Sequence, residues 1–268
     1  MTISIITVTR NDCDNLEETF SSLNAQSDKN FEWIIKDGQS TDNTREFYDR
    51  YINAAPLNSI FITEADKSVY DAMNQAVKYT KNRYLLFLNA GDQLESNNTI
   101  ERVLNVINSS SIEYSFIYGD VIDITPSGEQ IYKKARGLKY LSHSIPTSHQ
   151  SIFYNRDIFN SYKYDTSLKI AADYALSASV YFDGNDSFLK LDFPICRFYL
   201  GGLSTARRNI LLKEGYRVHR QIVKDNLLLA NFKYFKRLVT FYILDNFPRL
   251  YRVLRGMADK RSNNQNTR

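Results

Sequence analysis

Four times within the first 95 residues a short apolar run stops at a cluster of polar residues, and between these stops lie stretches with helical spacing. The runs are residues 3–9 (ISIITVT), 31–36 (FEWIIK), 59–63 (SIFIT) and 84–88 (YLLFL). Continuous apolar runs of this length are strands covered on both faces. Between them, Leu16, Phe20 and Leu23 share one side of a helix over 15–26, Ser40, Thr41 and Asp42 offer N-cap oxygens to a helix over 43–52, and a further helix covers 68–80. Strand and helix alternating at this pitch specify an α/β fold with a mainly parallel central sheet flanked by helices, because adjacent parallel strands need a helix-length crossover.

From Ile112 the rhythm changes. Shorter strands at 116–124 and 130–134 flank a Pro126-Ser127-Gly128 turn, and a loop rich in His, Ser and Thr at 142–151 precedes a strand at 152–154 and a helix near 172–182. With 43% hydrophobic residues in 268, the chain supports one substantial core and an appendage. Cys13 and Cys196 are far apart and form no ligand-spaced cluster, which excludes a disulfide framework or structural zinc site and points to a reducing, cytoplasmic setting. The opening MTISIITVTRND lacks a basic flank and a cleavage site, so it reads as a first strand rather than a signal peptide. No uncharged apolar run approaches the roughly 18 residues that span a bilayer.

The net charge of +4 hides an asymmetry. Residues 207–261 hold 14 Lys/Arg against 4 Asp/Glu, which leaves the rest of the chain acidic. In this arm FKYFKRL (232–238) and RLYRVLR (249–255) interleave positive charge with large apolar side chains, a pattern that suits the surface of an anionic membrane. A helix packed on the core is the plainer alternative. Nucleic acid is disfavoured as a partner by the acidic body and by the lack of a recognisable binding motif.

Every polar cluster of interest falls where a strand ends: Thr7, Thr9, Arg10 and Asn11; Asp37, Gly38, Ser40 and Asp42; Glu64 and Asp66; Asn89 and Asp92. In a parallel sheet these positions converge on one rim, beyond the carboxyl ends of the strands. A rim of hydroxyls, carboxylates and backbone amides suits a base, a ribose and a metal-bridged diphosphate. Four segments, SIITVTRND, IIKDGQSTDNT, EADKSVYDAMNQAV and FLNAGD, resemble the family 2 glycosyltransferases of the GT-A (nucleotide-diphospho-sugar transferase) fold. A weaker match continues through SHQSIFYNRDIF and LKIAADYAL to about residue 205. Two departures stand out: Gln39 separates Gly38 from Ser40 in the D-G-S-T-D-x-T signature, and Asn89 and Gly91 stand where the family commonly has carboxylates.

The resemblance implies an inverting hexosyltransferase that uses a nucleotide-sugar. Thr7 and Thr9 would lie against the nucleobase with Asn11 beside them, and Asp37 would accept a hydrogen bond from a base N–H, which favours uracil and hence a UDP-sugar. Asp66, Tyr70, Asp71 and Asn74 would meet the diphosphate and donor sugar, although Asp66 and Asp71 also fit as helix N-terminal acids. Asn89 would give an amide oxygen or touch ribose. Asp92 would hold Mn²⁺ or Mg²⁺, which offsets the charge of a leaving diphosphate. Asp173 would be the base that deprotonates the acceptor hydroxyl, or else an acid placed for the helix dipole.

His149 sits in a suggestive loop, and Gly201-Gly202-Leu203-Ser204 resembles a loop that closes over the donor. The expected division is a catalytic domain at 1–205, with a nucleotide-binding half (1–95) and an acceptor-binding half (96–205), a basic amphipathic arm at 206–261 and a disordered tail at 262–268. A lipid-linked glycan acceptor, at the inner face of a bacterial cell membrane in surface polysaccharide or O-antigen assembly, is the context this implies. A nucleotidyltransferase and a non-catalytic sugar-nucleotide or glycan-binding module are the alternatives. The first is opposed by the lack of glycine in TVTRND, and the second by Asp92 and Asp173.

Overall fold

The computed structural model describes residues 2–184, 187–200 and 207–247. The first half runs β1 (Ile3–Thr9), α1 (Cys13–Asn24), β2 (Phe31–Asp37), α2 (Thr44–Phe47), β3 (Asn58–Thr63), α3 (Val69–Val77) and β4 (Tyr84–Phe87). The second runs β5 (Gln93–Leu94), α4 (Thr99–Ser109), β6 (Phe116–Ile124), β7 (Gln130–Lys133), β8 (Ile152–Asn155), α5 (Ala172–Phe182) and β9 (Phe188–Tyr199), followed by α6 (Arg208–Gln221) and α7 (Leu227–Asn246). The helix expected over 43–52 is one α-turn continued by a π-helical turn, Tyr48–Ile52. Strand β9 was not anticipated, although its alternation of Leu189, Leu191 and Phe193 with Lys190 and Asp192 carries a strand period.

The strands form one sheet in the order β3-β2-β1-β4-β8-β6-β9-β5, with β7 beside β6. Strands β1 to β4 are parallel to their neighbours, and β8 then enters antiparallel to both β4 and β6. Thr9 pairs with Asp37 and Asp37 with Thr63, so three strands end level. The pairing of Leu86 with Phe153 sets the start of β8, and the loop before it, beside the end of β4.

Alternation along the strands feeds two apolar layers. Ile6, Ile34, Leu85 and Phe87 pack with Met73 of α3 and Ala175 of α5 on one face. Ile3, Ile5, Trp33 and Leu86 pack with Leu16 of α1 and Val103 of α4 on the other. The arm is partly absorbed into this body. Leu212, Val218 and His219 of α6 are buried, and the Glu214 carboxylate accepts the N–H groups of Lys169, Ile170 and Ala171 at 2.7, 2.9 and 2.9 Å. For α6, then, the core-packed alternative holds. Among the described residues no helix is long and apolar enough to cross a membrane.

One polar link crosses the second layer. The Thr7 hydroxyl donates to the Leu88 carbonyl at 2.6 Å and accepts from Trp33 Nε1 at 2.8 Å, with all three residues buried. Thr7→Val strands a buried indole N–H and is expected to cost about 1–3 kcal/mol, read as a lower urea midpoint with an unchanged slope.

Candidate active site

At the level ends of β1, β2 and β3 the polar turns interlock. Asn11, in the left-handed region at φ 51°, donates its N–H to Ser40 Oγ (2.7 Å), and its own Oδ1 accepts from Thr41 N (2.7 Å). The buried Asp37 carboxylate accepts from Ser40 N at 3.2 and 3.1 Å. Gly38 is required here, since a Cβ would stand 2.6 Å from Asp66 Oδ2 and 3.2 Å from Arg10 Cδ. Its absence lets Asp66 and Arg10 close over the strand ends. Lys36 Nζ lies 3.7 Å from Asp66 and donates to the Asp37 carbonyl at 3.2 Å, which balances the carboxylates from beneath. Thr9 Oγ1 is buried with no hydrogen-bond partner among the described residues.

Some expected contacts are replaced. Thr7 is wholly buried and its hydroxyl is engaged twice under α1, so it is a core brace rather than a nucleobase contact. Asn74 was expected to face the donor, but Nδ2 donates to the Tyr164 carbonyl (2.9 Å) and Oδ1 accepts from Tyr164 N (3.0 Å). Tyr70 stacks on Tyr164 at 5.5 Å and donates its hydroxyl to the Ile170 carbonyl at 2.7 Å. Together Tyr70 and Asn74 moor α3 to the segment that leads into α5. Asp71 takes the helix-terminal role, with Oδ2 accepting from Lys67 N at 2.9 Å and its own N–H donating to Ser68 Oγ at 3.2 Å.

The second cluster lies where β4 ends. Gly91, at φ 89°, donates to the Asn15 carbonyl (2.9 Å) and to Thr19 Oγ1 (3.0 Å), which pins the Asn89–Asp92 turn to α1. The Asp92 carboxylate accepts from Asn89 N at 3.1 Å and from Gln150 Nε2 at 3.1 Å to each oxygen. Burial pushes its pKa up to about 6, against the opposing charge of His149 and these hydrogen bonds. His149 reaches Asp173 Oδ2 with Nδ1 at 3.6 Å and Asn89 Nδ2 with Nε2 at 3.3 Å. Burial disfavours the imidazolium, yet the hydrogen bond to Asp173 and the charges of Asp173 and Asp92 carry the His149 pKa above its ordinary value. Asp173 opens α5, and its Oδ1 accepts from Tyr174 N at 2.7 Å.

Asn89, Asp92, His149, Gln150 and Asp173 therefore form one connected wall of a groove of about 2380 Å³. Asp37, Asn11 and Asp66 occupy the neighbouring strand ends. Gln150 was missed as a site residue; only its place in SHQS beside His149 hinted at it. Two oxygens in the wall, Asn89 Oδ1 and Gln150 Oε1, are buried without partners among the described residues. With the Asp92 carboxylate they form a hard oxygen donor set that fits Mg²⁺ or Mn²⁺. Among the described residues no three His, Cys, Asp or Glu side chains group as a metal site. The loop 201–204 and residues 248–268 lie outside the described residues.

A family model described as "Glycosyl transferase family 2" matches residues 4–180. A PGL/p-HBAD biosynthesis glycosyltransferase of Mycobacterium bovis is 32% identical over 172 residues, 64% of this chain and 66% of that protein. The putative teichuronic acid biosynthesis glycosyltransferase TuaG of Bacillus subtilis is 30% identical over 42% of this chain and 45% of its own length. The chain thus spans just under two thirds of the mycobacterial relative. Among solved structures, S. aureus TarS in complex with UDP-GlcNAc matches with a TM-score of 0.66 at 18% identity, over 83% of this chain and 65% of that one. The Pyrobaculum calidifontis mannosyltransferase PcManGT, in complex with GDP-Man and Mn²⁺, matches with a TM-score of 0.62 at 14% identity, over 96% and 79%. At these identities the likeness establishes the GT-A fold.

A histidine whose folded pKa is raised contributes stability that is whole below its unfolded value and lost as pH rises through the folded one. The difference in melting temperature between the wild type and His149→Gln should therefore be largest below the ordinary value of 6.5 and shrink toward alkaline pH. A difference that grows on alkalinisation would contradict the pairing with Asp173.

Proposed function

This chain belongs to glycosyl transferase family 2 and has the GT-A fold, and from that premise we propose that it moves a sugar, with inversion, from a UDP-sugar to a hydroxyl of a lipid-linked glycan in bacterial surface polysaccharide assembly. The observation that carries this reading is the chain of contacts Asp173–His149–Asn89–Asp92, which brings a candidate base and a candidate cation ligand to one wall. The names of the relatives, which concern glycolipid and teichuronic acid biosynthesis, favour a bacterial glycan as the product.

In this mechanism Asp37 receives a base N–H at the ends of β1 and β2, and Thr9 supplies the hydroxyl that the protein leaves without a partner. Arg10 and Asn11 close that side. Asp92 and Asn89 would hold Mn²⁺ or Mg²⁺, which when bound would supply positive charge to the departing diphosphate. Asp173 removes the acceptor proton as the hydroxyl attacks the anomeric carbon from the side opposite the leaving group. His149 orients Asp173. A nucleotidyltransferase would need phosphate-cradling glycines after β1, where TVTRND has none.

For membrane attachment the apolar face of α7 is added to the charge pattern of the arm. On α7 the cation Lys233 turns inward, to Asp225 (2.7 Å) and the Ser142 carbonyl (2.7 Å), while Leu228, Phe232, Phe235 and Tyr242 are 61–82% exposed along one stripe. In the proposed arrangement this stripe lies on the cytoplasmic face of the cell membrane, and the basic residues 249–261 add attraction to anionic lipid. Phe232→Ser/Phe235→Ser should abolish sedimentation with anionic vesicles while leaving the far-ultraviolet circular dichroism unchanged.

Screening UDP-, GDP- and dTDP-sugars for metal-dependent thermal stabilisation tests the donor, because a ligand of the native state raises Tm. UDP-sugars with Mn²⁺ are expected to stabilise, and Asp92→Ala to remove the metal dependence. Asp173→Asn should bind donor normally but lower its hydrolysis or transfer by about 10²–10⁴-fold. Stabilisation by GDP-sugars alone would overturn the uracil assignment, and undiminished turnover in Asp173→Asn would overturn the base.

A further inference from the structure

The groove that begins at Asp92 and Asp173 continues beneath α7, and its other end is cationic. Nine lysines and arginines line the groove against three acids, Glu18, Asp92 and Asp173. Glu18 is held near Asp92 by its contact with Gln93, so all three acids belong to the end already described.

At the far end stands Arg237. Its guanidinium lies over Phe241, 5.7 Å from the ring centroid, and against Gly215 of α6, where an added Cβ would come within 3.3 Å of Nη1. A glycine inside a helix gives up helix propensity, and here it makes room for the arginine. No carboxylate or hydrogen-bond acceptor among the described residues takes this half-buried guanidinium, and burial lowers its pKa, opposed only by the phenols of Tyr140 and Tyr174. An arginine does not escape such a position by losing its proton, so a charge with no counter-ion among the described residues is a place an anion can take. The neighbouring Lys236 and, on the 3₁₀ turn Leu138–Ser142, Lys139 also have no ion pair among the described residues. His143, close by, is held below its ordinary pKa by burial and by Lys233 and Lys236, which reports a positive field. Tyr174, next in sequence to Asp173, links this end of the groove to the proposed base.

We propose that Arg237, with Lys236 and Lys139, forms a subsite for a phosphate group carried by the acceptor. A planar guanidinium fork flanked by flexible ammonium groups matches phosphate oxygens in both geometry and charge. The proposal rests on the reading of this groove as the acceptor's path. The phosphate has two possible sources, a lipid diphosphate or a phosphorylated, lipid-free glycan.

The probes are inorganic pyrophosphate and farnesyl diphosphate, titrated calorimetrically into the full chain with EDTA present, so that no cation holds a diphosphate at the donor side. Arg237→Gln is expected to weaken both by about ten-fold or more, the loss of a charge-assisted pair. Lys139→Ala/Lys236→Ala, which changes only exposed side chains and so spares the fold, should weaken both and flatten the salt dependence. Tighter binding of the farnesyl compound, lost in the same variants, assigns the phosphate to a lipid, and equal binding of the two assigns it to a lipid-free acceptor. Failure of the wild type to bind either probe, or equal binding by wild type and both variants, overturns the subsite. Because the measurement uses neither nucleotide nor metal, it stands or falls separately from the UDP-sugar assignment.

Discussion

His149 touches Asp173 with one ring nitrogen and Asn89 with the other, and through these contacts the two halves of the sheet share a site. The contact depends on strand direction. Strands β1 to β4 run parallel and deliver their loops to one rim, but a fifth parallel strand beside β4 would have brought only another strand end. Instead β8 enters antiparallel, so the residues just before it, His149 and Gln150, stand beside the residues just after β4. Reversing one strand thus places an imidazole and an amide over the Asn89–Asp92 turn.

The same geometry sets how the ring of His149 is paired. In the neutral ring Nδ1–H points to Asp173 and Nε2 accepts from Asn89 Nδ2. Charging the ring turns Nε2 into a donor, and the oxygen available to it is Asn89 Oδ1, one of the two unpartnered oxygens in the wall. In the proposed mechanism a proton on His149 and a cation would compete for that oxygen. Asp92, its pKa pushed up to about 6 by burial, would oppose a cation in the same direction when protonated. Where relatives of this type commonly carry carboxylates, Asn89 and Gly91 leave the Asn89–Asp92 turn with a single acid, which avoids repulsion between anions within the turn.

The sheet's parallel half was readable because its strands are continuous apolar runs with abrupt polar ends, and that pattern fixes both the element and the rim. The face of each residue required more. Thr7 shares a strand face with Ile3 and Ile5, which places it under α1 with Trp33, yet its hydroxyl resembles a ligand contact in sequence. Asn74 and Tyr70 share a helix face as the spacing implies, but a loop some ninety residues away claims that face. Likewise, nothing local to Ile152–Asn155 says that it inserts between β4 and β6, so the His149–Asp173 contact has no signature in either segment alone. Periodicity names a face; long-range pairing decides what meets it.

The C-terminal arm shows the same principle from the other direction. Its charge composition suggested a basic arm for an anionic surface, but Glu214 accepts three consecutive backbone N–H groups, from Lys169, Ile170 and Ala171, immediately before the helix that carries Asp173. Those N–H groups would otherwise be left open at the start of α5. One carboxylate of α6 thereby fixes the approach to the proposed base, and α6 in turn packs on α7 through the contact of Tyr216 with Tyr234, centroids 5.9 Å apart. Helix α7 divides two environments, with Lys233 and Arg237 toward the groove and Leu228, Phe232 and Phe235 toward the outside. A shift of α7 on an apolar surface would act through α6 and Glu214 on the segment that positions Asp173, so where the arm rests and how the base is held are a single mechanical question.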